Sequence, residues 1–531
     1  MDDSKIKITL NGEVFEFDEK ILLLDALAQA KIELPSPCHH DHLSQVCSCG
    51  LCLVGLRTSA TVPWVIGLAC MVTIKNGMEV DTECPQAAEL RKSIINAYLL
   101  KHPMDCSLCD KVGNCFLHKF AAHTNFRGFT RLMGRHYWRR SLRKLGEKIA
   151  IDDEKCIFCG RCLRFCQDIL GEEILGKIKN ERNSEEINLY PGKDCDSNYS
   201  LNLVELCPAG ALVDQVSDYD QLAWDLHHTP SISPESSTGI NIYILHSKKY
   251  VHRIVARRND SVNETWITDS ARNLVNILKP SQRTAKVMCN GGRADIRVTI
   301  ALAVDKILRS GSNTYILCSG ATSLEDQFVL KQLLDALSAN MSLANVYFLR
   351  RKGKGDDFLI SDDPYPNCAG AEIMKLSLEF NTHENLGALY DLVQSGTCKN
   401  IICVYEDLFA ERVNGEIFNG IPITYIGHQN NKTARTADFV FPVKTIFERT
   451  GTFVNKDYIL QKFFQAVPAP SKSILECWEI LSLIMNTHNR EKTADYLTRE
   501  EIWKDLSNFI EVFRDINFSE VPLNGLLLKK D

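Results

Sequence analysis

Hydrophobic and polar residues alternate along the first 17 positions of the chain. The run Lys5–Leu10 places its apolar residues on one face of a strand, and Phe15 and Phe17 repeat the alternation after Asn11-Gly12. An Asn-Gly pair between two alternating runs is a strong signal for a tight β-hairpin. We therefore predict two antiparallel strands joined at this pair.

Helical spacing follows in two places. Ile21–Ala28 predicts a helix that ends before Pro35 and Pro37, because proline lacks the backbone N–H that a helix needs. Glu89–Lys101 also carries apolar residues at helical spacing and leads directly into His102. A hairpin, a crossing helix and then a cysteine-rich loop is the order of elements in a β-grasp ferredoxin, so we predict an α+β domain of this kind at the N-terminus.

The pattern changes beyond about residue 220, where short apolar strands alternate with helical segments. This is the βαβ rhythm of a parallel, doubly wound α/β sheet. The predicted strands are Ile240–Leu245, Thr314–Leu317, Val346–Leu349, Ile401–Tyr405, Ile423–Ile426 and Phe439–Phe441, and the predicted helices include Arg297–Leu308 and Leu324–Leu337. Thr322 and Glu325 have the spacing of a capping box at a helix start. The polar insert 177–200, earlier in the chain, predicts a surface loop.

Length and cysteine content change this picture. A chain of 531 residues exceeds what one core normally supports. Fifteen of its 21 cysteines lie between Cys38 and Cys207. Dense cysteines suit a secreted disulfide scaffold only in a short chain with a signal peptide, and the start at Met1–Ser4 has neither a basic nor an apolar leader region. We expect a reducing interior, the bacterial cytoplasm.

Charge and hydropathy argue against binding to nucleic acid and against a membrane-spanning helix. The net charge of −6 and the pI near 6.2 give no reason to expect a nucleic acid as partner. The most apolar stretch, Val62–Ile74, has 13 residues, whereas a bilayer-spanning helix needs about 20. We therefore expect membrane contact only through a partner.

The third cysteine group, here called the third site, has the most specific spacing. Cys156, Cys159 and Cys162 follow one another at threefold spacing, and a remote Cys207-Pro208 completes the set. This is the bacterial ferredoxin arrangement for a [4Fe–4S] cluster, whereas zinc sites favour paired Cys-x2-Cys knuckles. The segment around Cys207 offers no second triplet for another cluster, so we predict that Cys166 and Cys195 are not ligands.

The second site combines one histidine with three cysteines. Its spacing alone suits a structural zinc ion as well as it suits iron, and its position between two ferredoxin-like motifs favours a [4Fe–4S] cluster. A neutral imidazole in place of one thiolate makes such a cluster less negative, so its reduction potential should rise. The predicted ligands are His102, Cys106, Cys109 and Cys115.

The first site has the features of a [2Fe–2S] loop, with a glycine, Gly50, where the backbone turns close to sulfur. Its predicted ligands are Cys38, Cys49, Cys52 and Cys70. Cys47 stands two residues before Cys49 and competes with it as a ligand, although the Cys-x2-Cys spacing to Cys52 favours Cys49. Cys70 is preferred over Cys84 as the fourth ligand.

These motifs, taken together, resemble the large iron–sulfur subunit of respiratory Complex I, the mitochondrial 75-kDa type. The resemblance covers the first 215 residues in order. The matching motifs are Cys38-His39-His40, Cys49–Val54, Ala69-Cys70, His102–Cys106, Cys109-Asp110, Gly113–Cys115, Cys156–Cys162 and Leu206–Leu212. Later segments, Arg257–Asn259, Val262–Glu264 and Gly451–Asn455, are similar to the molybdopterin oxidoreductase fold that this family carries without its cofactor.

The resemblance implies a multidomain electron-transfer protein with no catalytic residues or substrate site of its own. It implies one [2Fe–2S] cluster at the first site, one [4Fe–4S] cluster at each of the other two, and no molybdopterin. Electrons would come from a flavoprotein subunit that oxidises NADH and leave toward quinone through other subunits of the peripheral arm. The expected location is peripheral, on the cytoplasmic side of a bacterial inner membrane.

Four domains follow from these assignments. They are a [2Fe–2S] ferredoxin-type domain at 1–82, a histidine-plus-three-cysteine [4Fe–4S] domain at 83–125, a [4Fe–4S] ferredoxin-like domain at 145–216 and a degenerate molybdopterin oxidoreductase-like α/β domain at 220–531. The chain has no cysteine between Cys207 and Cys289. The extra cluster that some relatives hold at the start of the last domain therefore cannot be built, and we expect that domain to lack an active site.

Two other functions remain open from sequence. One is the diaphorase-type iron–sulfur subunit of an NAD-linked hydrogenase or formate dehydrogenase, which shares the N-terminal motifs; the length of the chain speaks against it, since those small subunits stop near the third site. The other is a zinc-stapled structural scaffold without redox activity. Metal analysis distinguishes iron from zinc.

Overall fold

A computed structural model describes most of the chain in two compact units, Met1–Asp225 and Leu226–Asp531. The described residues are 5–59, 61–103, 106–121, 124, 142–179, 183, 185–215, 223–340, 345–349, 353–376, 389–409, 415–489 and 496–529. Among the helices in these ranges, none combines the length and the hydropathy that crossing a lipid bilayer requires.

The first unit contains short strands and short helices around one longer helix. Its strands are β1 Ile6–Leu10, β2 Glu13–Phe17, β3 Leu53–Arg57, β4 Val65–Leu68, β5 Glu79–Asp81, β6 Arg143–Lys144, β7 Ile149–Ile151, β8 Leu175–Lys179, β9 Glu185–Leu189 and β10 Leu212–Asp214. Its helices are α1 Leu23–Gln29, α2 Pro85–Lys101, α3 Phe116–Ala121, α4 Arg161–Arg164 and α5 Asn202–Leu206.

The N-terminal sheet has the strand order β2-β1-β5-β3-β4. The predicted hairpin is confirmed, with Ile6 opposite Phe17 and Leu10 opposite Glu13. Strand β1 then pairs in parallel with β5, which closes a mixed sheet against α1. The inward residues of both elements form the core of this part, among them Ile8, Leu23 and Val80.

Helix α2 is anchored to this sheet by a buried arginine. Arg91 Nη1 donates to the Leu53 carbonyl at 2.6 Å and Nη2 to the Thr82 carbonyl at 2.7 Å. Helix α2 ends at Lys101, and His102 follows as its C-terminal cap, with its backbone N–H bonded to the Tyr98 carbonyl. The sheet therefore fixes the helix that carries the histidine of the second site.

The prediction of a surface loop over 177–200 is wrong in its first half. Residues 177–179 belong to strand β8, which pairs with β9 as an antiparallel hairpin. Strand β9 alternates around Ile187, whose exposure is only 2%, so burial of this one side chain favours a strand. A Lys177–Glu185 ion pair of 2.7 Å crosses the hairpin on its exposed side.

The second unit is built on three sheets. Its strands are β11 His227–Ile232, β12 Asn241–His246, β13 Val251–Ala256, β14 Met288–Cys289, β15 Gly292–Arg293, β16 Thr314–Ser319, β17 Asn345–Leu349, β18 Asn400–Val404, β19 Ile423–Gly427, β20 Phe439–Pro442, β21 Gly451–Val454, β22 Ile459–Phe463 and β23 Leu526–Leu527. Its helices are α6 Asp269–Arg272, α7 Ile296–Ser310, α8 Leu324–Asn340, α9 Cys368–Ile373, α10 Lys432–Thr436, α11 Cys477–Asn489 and α12 Arg499–Phe509.

The largest sheet has the order β15-β14-β20-β19-β18-β16-β17, and its five strands from β20 to β17 are parallel. This confirms the predicted parallel sheet and five of its six predicted strands. The sixth, Ile240–Leu245, instead lies in a separate antiparallel sheet as β12, between β11 and β13. The turn from β12 to β13 spans only 247–250, which is too short for the crossover that a parallel connection needs.

The predicted capping box before α8 is displaced by one residue. Ser323 and Asp326 exchange the reciprocal bonds, Asp326 N–H to Ser323 Oγ at 3.3 Å and Ser323 N–H to Asp326 Oδ2 at 3.0 Å. Glu325 instead accepts bonds from Thr452 and Trp503 in the interior. Tertiary partners of Glu325 thus override the local spacing.

Candidate metal centres

The first site brings its four predicted cysteines together as two close pairs. The Cys38 and Cys49 sulfurs lie 3.2 Å apart, and so do those of Cys52 and Cys70. All four residues are at most 5% exposed. Gly50, between the two pairs in sequence, has a φ of +64°, a conformation that glycine adopts without a Cβ penalty.

Within each pair one thiol is made more acidic. The hydrogen bond between the Cys38 and Cys49 sulfurs lowers the pKa of Cys38 to about 5, and that between the Cys52 and Cys70 sulfurs lowers the pKa of Cys52 to about 7. The same bonds, together with burial, raise the pKa values of Cys49 and Cys70. Iron binding would release the protons that the four sulfurs still carry, because the thiolate is the metal ligand.

Two further cysteines lie near this site in sequence but differ in place. The Cys47 sulfur is 3.7 Å from that of Cys70, at the edge of the site. Cys84 precedes α2 and its sulfur donates to Gln86 at 3.6 Å. A Cβ on Gly55 of β3 would lie 3.3 Å from the Cys84 sulfur, so Cys84 packs on the sheet.

The third site surrounds a small cavity. Cys156, Cys159, Cys162 and Cys207 all line it, together with apolar side chains that include Ile151, Phe158, Ile187 and Leu212. The Ala211 backbone N–H donates to the Cys207 sulfur at 3.2 Å. Four sulfurs facing one cavity, with a backbone donor on one of them, form a donor set that fits an iron–sulfur cluster.

The loop of the third site turns sharply around this cavity. Phe158 and Gly160 both have positive φ, +55° and +70°. Burial raises the pKa of Cys156 to about 12 and that of Cys159 to about 11, and it raises the pKa of Cys162 as well. The thiols are therefore protonated near neutral pH until a metal displaces the protons.

Cys166 and Cys195 do not line this cavity. Cys166 is fully buried in the turn Phe165–Ile169 that directly follows α4, and burial raises its pKa to about 12. The backbone N–H of Cys195 donates to the Leu145 carbonyl at 2.9 Å. Both cysteines pack in the interior of the first unit.

The second site is assembled from the end of α2 and the loop before α3. His102 is 7% exposed, Cys106 begins a single 3₁₀ turn, and Cys115 immediately precedes α3. Burial raises the pKa of Cys115, with smaller contributions from Cys109 and Cys106 nearby. Cys106 and Cys109 therefore lie close enough to Cys115 to act on its thiol electrostatically.

Two lysines accompany the second site. Lys155 Nζ donates to the Cys109 sulfur at 3.6 Å. Lys111 Nζ donates to the Glu205 carbonyl at 2.8 Å and to the Val204 carbonyl at 3.3 Å, just before Cys207 of the third site. The Phe116 N–H also bonds to the Pro208 carbonyl at 2.9 Å. The backbones of the second and third sites are thus held side by side.

One apolar core is shared by all three sites. It contains predicted ligand cysteines from the first site (Cys38 and Cys49), the second site (Cys115) and the third site (Cys159). Its remaining members are Leu51, Ile94, Ile95, Tyr98, Leu99, Phe116, Leu117, Phe120, Ala121, Ile157 and Ala209. We refer to this set as the shared apolar core.

Sequence reasoning missed two arginines between the sites, the buried Arg164 and the half-buried Arg161. Arg164 is 6% exposed and donates to the carbonyls of both Cys38 and Cys159. Arg161 donates to the carbonyls of His39 and Leu206. The available signal was the position of both arginines beside Cys162, inside a cysteine loop.

Family models match the chain in a fixed order. Residues 3–85 match a 2Fe-2S iron-sulfur cluster binding domain, 91–128 the NADH-ubiquinone oxidoreductase-G iron-sulfur binding region, and 146–213 the ferredoxin-like domain of NADH-quinone oxidoreductase subunit 3. Residues 226–276 match an NADH-ubiquinone oxidoreductase NDSU1/NuoG-like 4Fe-4S domain, and 368–487 match molybdopterin oxidoreductase.

Curated relatives carry the same family name. The G subunit of NADH-quinone oxidoreductase from Rickettsia conorii is 31% identical over 348 residues, which cover 64% of this chain and 50% of the relative. The 75 kDa subunit of NADH-ubiquinone oxidoreductase from Reclinomonas americana is 30% identical over 344 residues, 63% of this chain and 48% of the relative. The chain is thus similar in sequence to these two subunits over 344 to 348 residues.

The similarity to these relatives is partial in length. The alignments span about half of each relative. The segment 226–276, which matches the NuoG-like 4Fe-4S domain, contains no cysteine in this chain. Among solved structures, an NAD+-reducing [NiFe]-hydrogenase in the H2-reduced state matches with 22% identity and a TM-score of 0.34, over 41% of this chain and 91% of that one; this likeness is too low to support a conclusion.

Proposed function

We propose that the chain is an electron-transfer subunit of an NADH:quinone oxidoreductase. It would receive electrons from an NADH-oxidising flavoprotein subunit and pass them toward quinone through other subunits of the peripheral arm, on the cytoplasmic side of a bacterial inner membrane. The observation that carries the proposal is the shared apolar core, which packs ligand cysteines of all three sites together.

The proposed ligands are those predicted for the three sites. Cys38, Cys49, Cys52 and Cys70 in domain 1–82 would hold a [2Fe–2S] cluster. His102, Cys106, Cys109 and Cys115 in domain 83–125 would hold one [4Fe–4S] cluster, and Cys156, Cys159, Cys162 and Cys207 in domain 145–216 another. When bound, such clusters supply one-electron redox chemistry.

The protein's own contribution is to exclude water and to fix the sulfurs. Burial around the shared apolar core lowers the local dielectric constant, so each charge near a site acts strongly on its neighbours. Backbone and side-chain donors to ligand sulfurs, such as Ala211 N–H to Cys207 and Lys155 Nζ to Cys109, adjust how readily each site accepts an electron. These features serve electron transfer and not hydrolysis or group transfer.

The second unit is proposed to be a scaffold without molybdopterin or an active site. In doubly wound sheets ligands bind beyond the carboxyl ends of the strands. Strand β16 ends at Ser319, and a Cβ on the next residue, Gly320, would lie 2.6 Å from the Cys368 sulfur and 2.8 Å from Tyr365 Cβ. The chain's own side chains therefore occupy the space in which a phosphate would meet the backbone of this turn.

The turn at Asn290-Gly291 also has a structural role. Asn290 and Gly291 have φ values of +49° and +77° and form the turn of the β14–β15 hairpin. A buried ion pair, Arg449 to Asp326 at 2.5 Å, lies near the start of α8. Both features support a structural interpretation of this unit.

Metal analysis of the anaerobically purified chain tests the proposal. We expect about ten iron atoms per chain, from one binuclear and two four-iron clusters, with matching acid-labile sulfide and reducible EPR signals. Zinc in place of iron, without visible absorbance, would refute it and favour the structural scaffold. Co-purification with a flavoprotein that oxidises NADH would support the proposed partner.

A further inference from the structure

Two arginines of the third site reach across to the loop of the first site. Arg161 and Arg164 begin and end helix α4, on either side of Cys162. Arg164 Nη2 donates to the Cys38 carbonyl and, at 3.4 Å, to the Cys159 carbonyl, so that one nitrogen joins ligand residues of two different sites. Arg164 Nη1 donates to the Ser44 carbonyl, and Nε donates to the Gly160 carbonyl at 3.3 Å.

Arg161 repeats this arrangement one turn earlier. Its Nη2 donates to the carbonyl of His39, next to Cys38, and its Nη1 donates at 3.5 Å to the carbonyl of Leu206, next to Cys207. Both guanidinium groups therefore bond to backbone at or beside ligands of the first and third sites. The planar fork of arginine can bind several carbonyls at once, which the point charge of lysine cannot do.

Further bonds keep the same two loops in contact. Ser48 Oγ donates to the Cys159 carbonyl at 3.3 Å, and the Ser44 N–H donates to Asp168 Oδ2 at 2.7 Å. These two bonds and the arginine contacts join the same pair of loops.

The charge of these arginines bears on redox chemistry. A guanidinium group stays protonated in proteins. Arg164 is 6% exposed, so solvent screens its charge weakly. A nearby positive charge favours whichever state of a redox centre carries more negative charge, and that is the reduced state of an iron–sulfur cluster.

We propose that Arg161 and Arg164 are positioning residues for electron transfer between the first and the third site. They hold the two ligand loops at a fixed separation, and their charges, of which that of Arg164 is buried, raise the reduction potentials of both sites relative to an uncharged junction. This inference rests on the proposed iron–sulfur function.

The test compares four variants of the full chain with the wild type. Arg164→Met and Arg161→Met remove one charge and its hydrogen bonds, whereas Arg164→Lys keeps the charge and loses the fork. Arg57→Met is the matched control, because Arg57 is also a paired guanidinium of the first unit, but its contacts are Glu79 and Trp64. Anaerobic redox titration with EPR reports the midpoint potential of each cluster separately, and iron content reports loading.

We expect both methionine variants to lower the potentials of the first and third clusters more than that of the second, because both arginines bond directly to the loops of the first and third sites. Arg164→Lys keeps the charge, so its potentials should lie close to those of the wild type, although electron equilibration between the two clusters should still be slower. Arg57→Met should change neither the potentials nor this rate. Equal shifts in all three clusters, a shift in the third cluster alone, or no shift in loaded variants would overturn the inference.

Loss of iron is also informative. If only Arg164→Met fails to load the first and third clusters, the reduction potentials of Arg164→Lys and Arg161→Met test the inference instead. Iron loss in every arginine variant, the lysine included, would overturn the inference, because it would show a role in folding alone. A wild-type chain without iron would refute the proposed function itself, which is a separate outcome.

Discussion

Arg91 offers a quantitative test of how the first unit holds its ligand-bearing helix. Its two bonds, of 2.6 and 2.7 Å, join α2 to the Leu53 and Thr82 carbonyls. Each hydrogen bond to a charged group contributes about 1.5–3 kcal/mol. Arg91→Met keeps the packing of the side-chain stem and removes both bonds, so it should cost roughly 3–6 kcal/mol of unfolding free energy, by the same per-bond value.

For a unit of this size each kcal/mol corresponds to about 2–4 °C in Tm. We therefore expect the first unit of Arg91→Met to melt roughly 6–24 °C below the wild type, followed anaerobically through loss of visible absorbance. Arg91→Lys retains the charge and can keep one bond, so its Tm should fall between the two. Arg309→Met removes an exposed helical pair with Asp305 and should stay within about 1–2 °C of the wild type. A melting point of Arg91→Met equal to that of this control would refute the reasoning.

Four other predictions follow, three from the candidate sites and one from the second unit. Cys159→Ser should abolish the EPR signal of the third cluster, whereas Cys166→Ser should keep it, since Cys166 lies outside the cavity; equal loss would reject the ligand assignment. His102→Cys should retain a cluster with a lower potential, because a thiolate adds negative charge, and an unchanged potential would argue against histidine ligation. Cys70→Ser should retain part of the binuclear absorbance, because the Cys47 sulfur is only 3.7 Å from that of Cys70, and the double variant with Cys47→Ser should lose it; equal absorbance in both variants would exclude Cys47 as a substitute. Burial lowers the pKa of His428 to about 3, so this histidine stays neutral in the fold, whereas in the unfolded chain it takes up a proton below about pH 6.5. Between pH 6.5 and 5 the free energy of unfolding of the second unit should therefore fall by about 2 kcal/mol, and His428→Gln should not show this loss. The pH dependence of the urea midpoint measures the difference.

Local patterns predicted the elements that depend on local chemistry. The Asn11-Gly12 turn, helix α2 and the parallel strands of the second unit follow from turn preference and hydrophobic period, and the structure confirms them. Strand β12 was misplaced because its neighbours on both sides, not its own composition, decide its sheet. The capping box moved by one residue because Glu325 finds tertiary partners.

The candidate sites divide in the same way. Cysteine spacing was enough to name the groups that the structure brings together in the first and third sites. It carried no information about the shared apolar core, which joins residues from six separate stretches between Cys38 and Ala209. Nor did it show that Arg164 faces Cys38, 126 positions earlier, because such contacts exist only after the loops have packed.

The double use of the Cys159 carbonyl has a consequence for how the holoprotein is made. This oxygen accepts hydrogen bonds from both Ser48 and Arg164. The loop that would bind the third cluster is therefore held in place by the loop that would bind the first. Cluster assembly should then be cooperative. Under limiting iron, most molecules should carry clusters at both the first and the third site or at neither, and few should carry only one of the two.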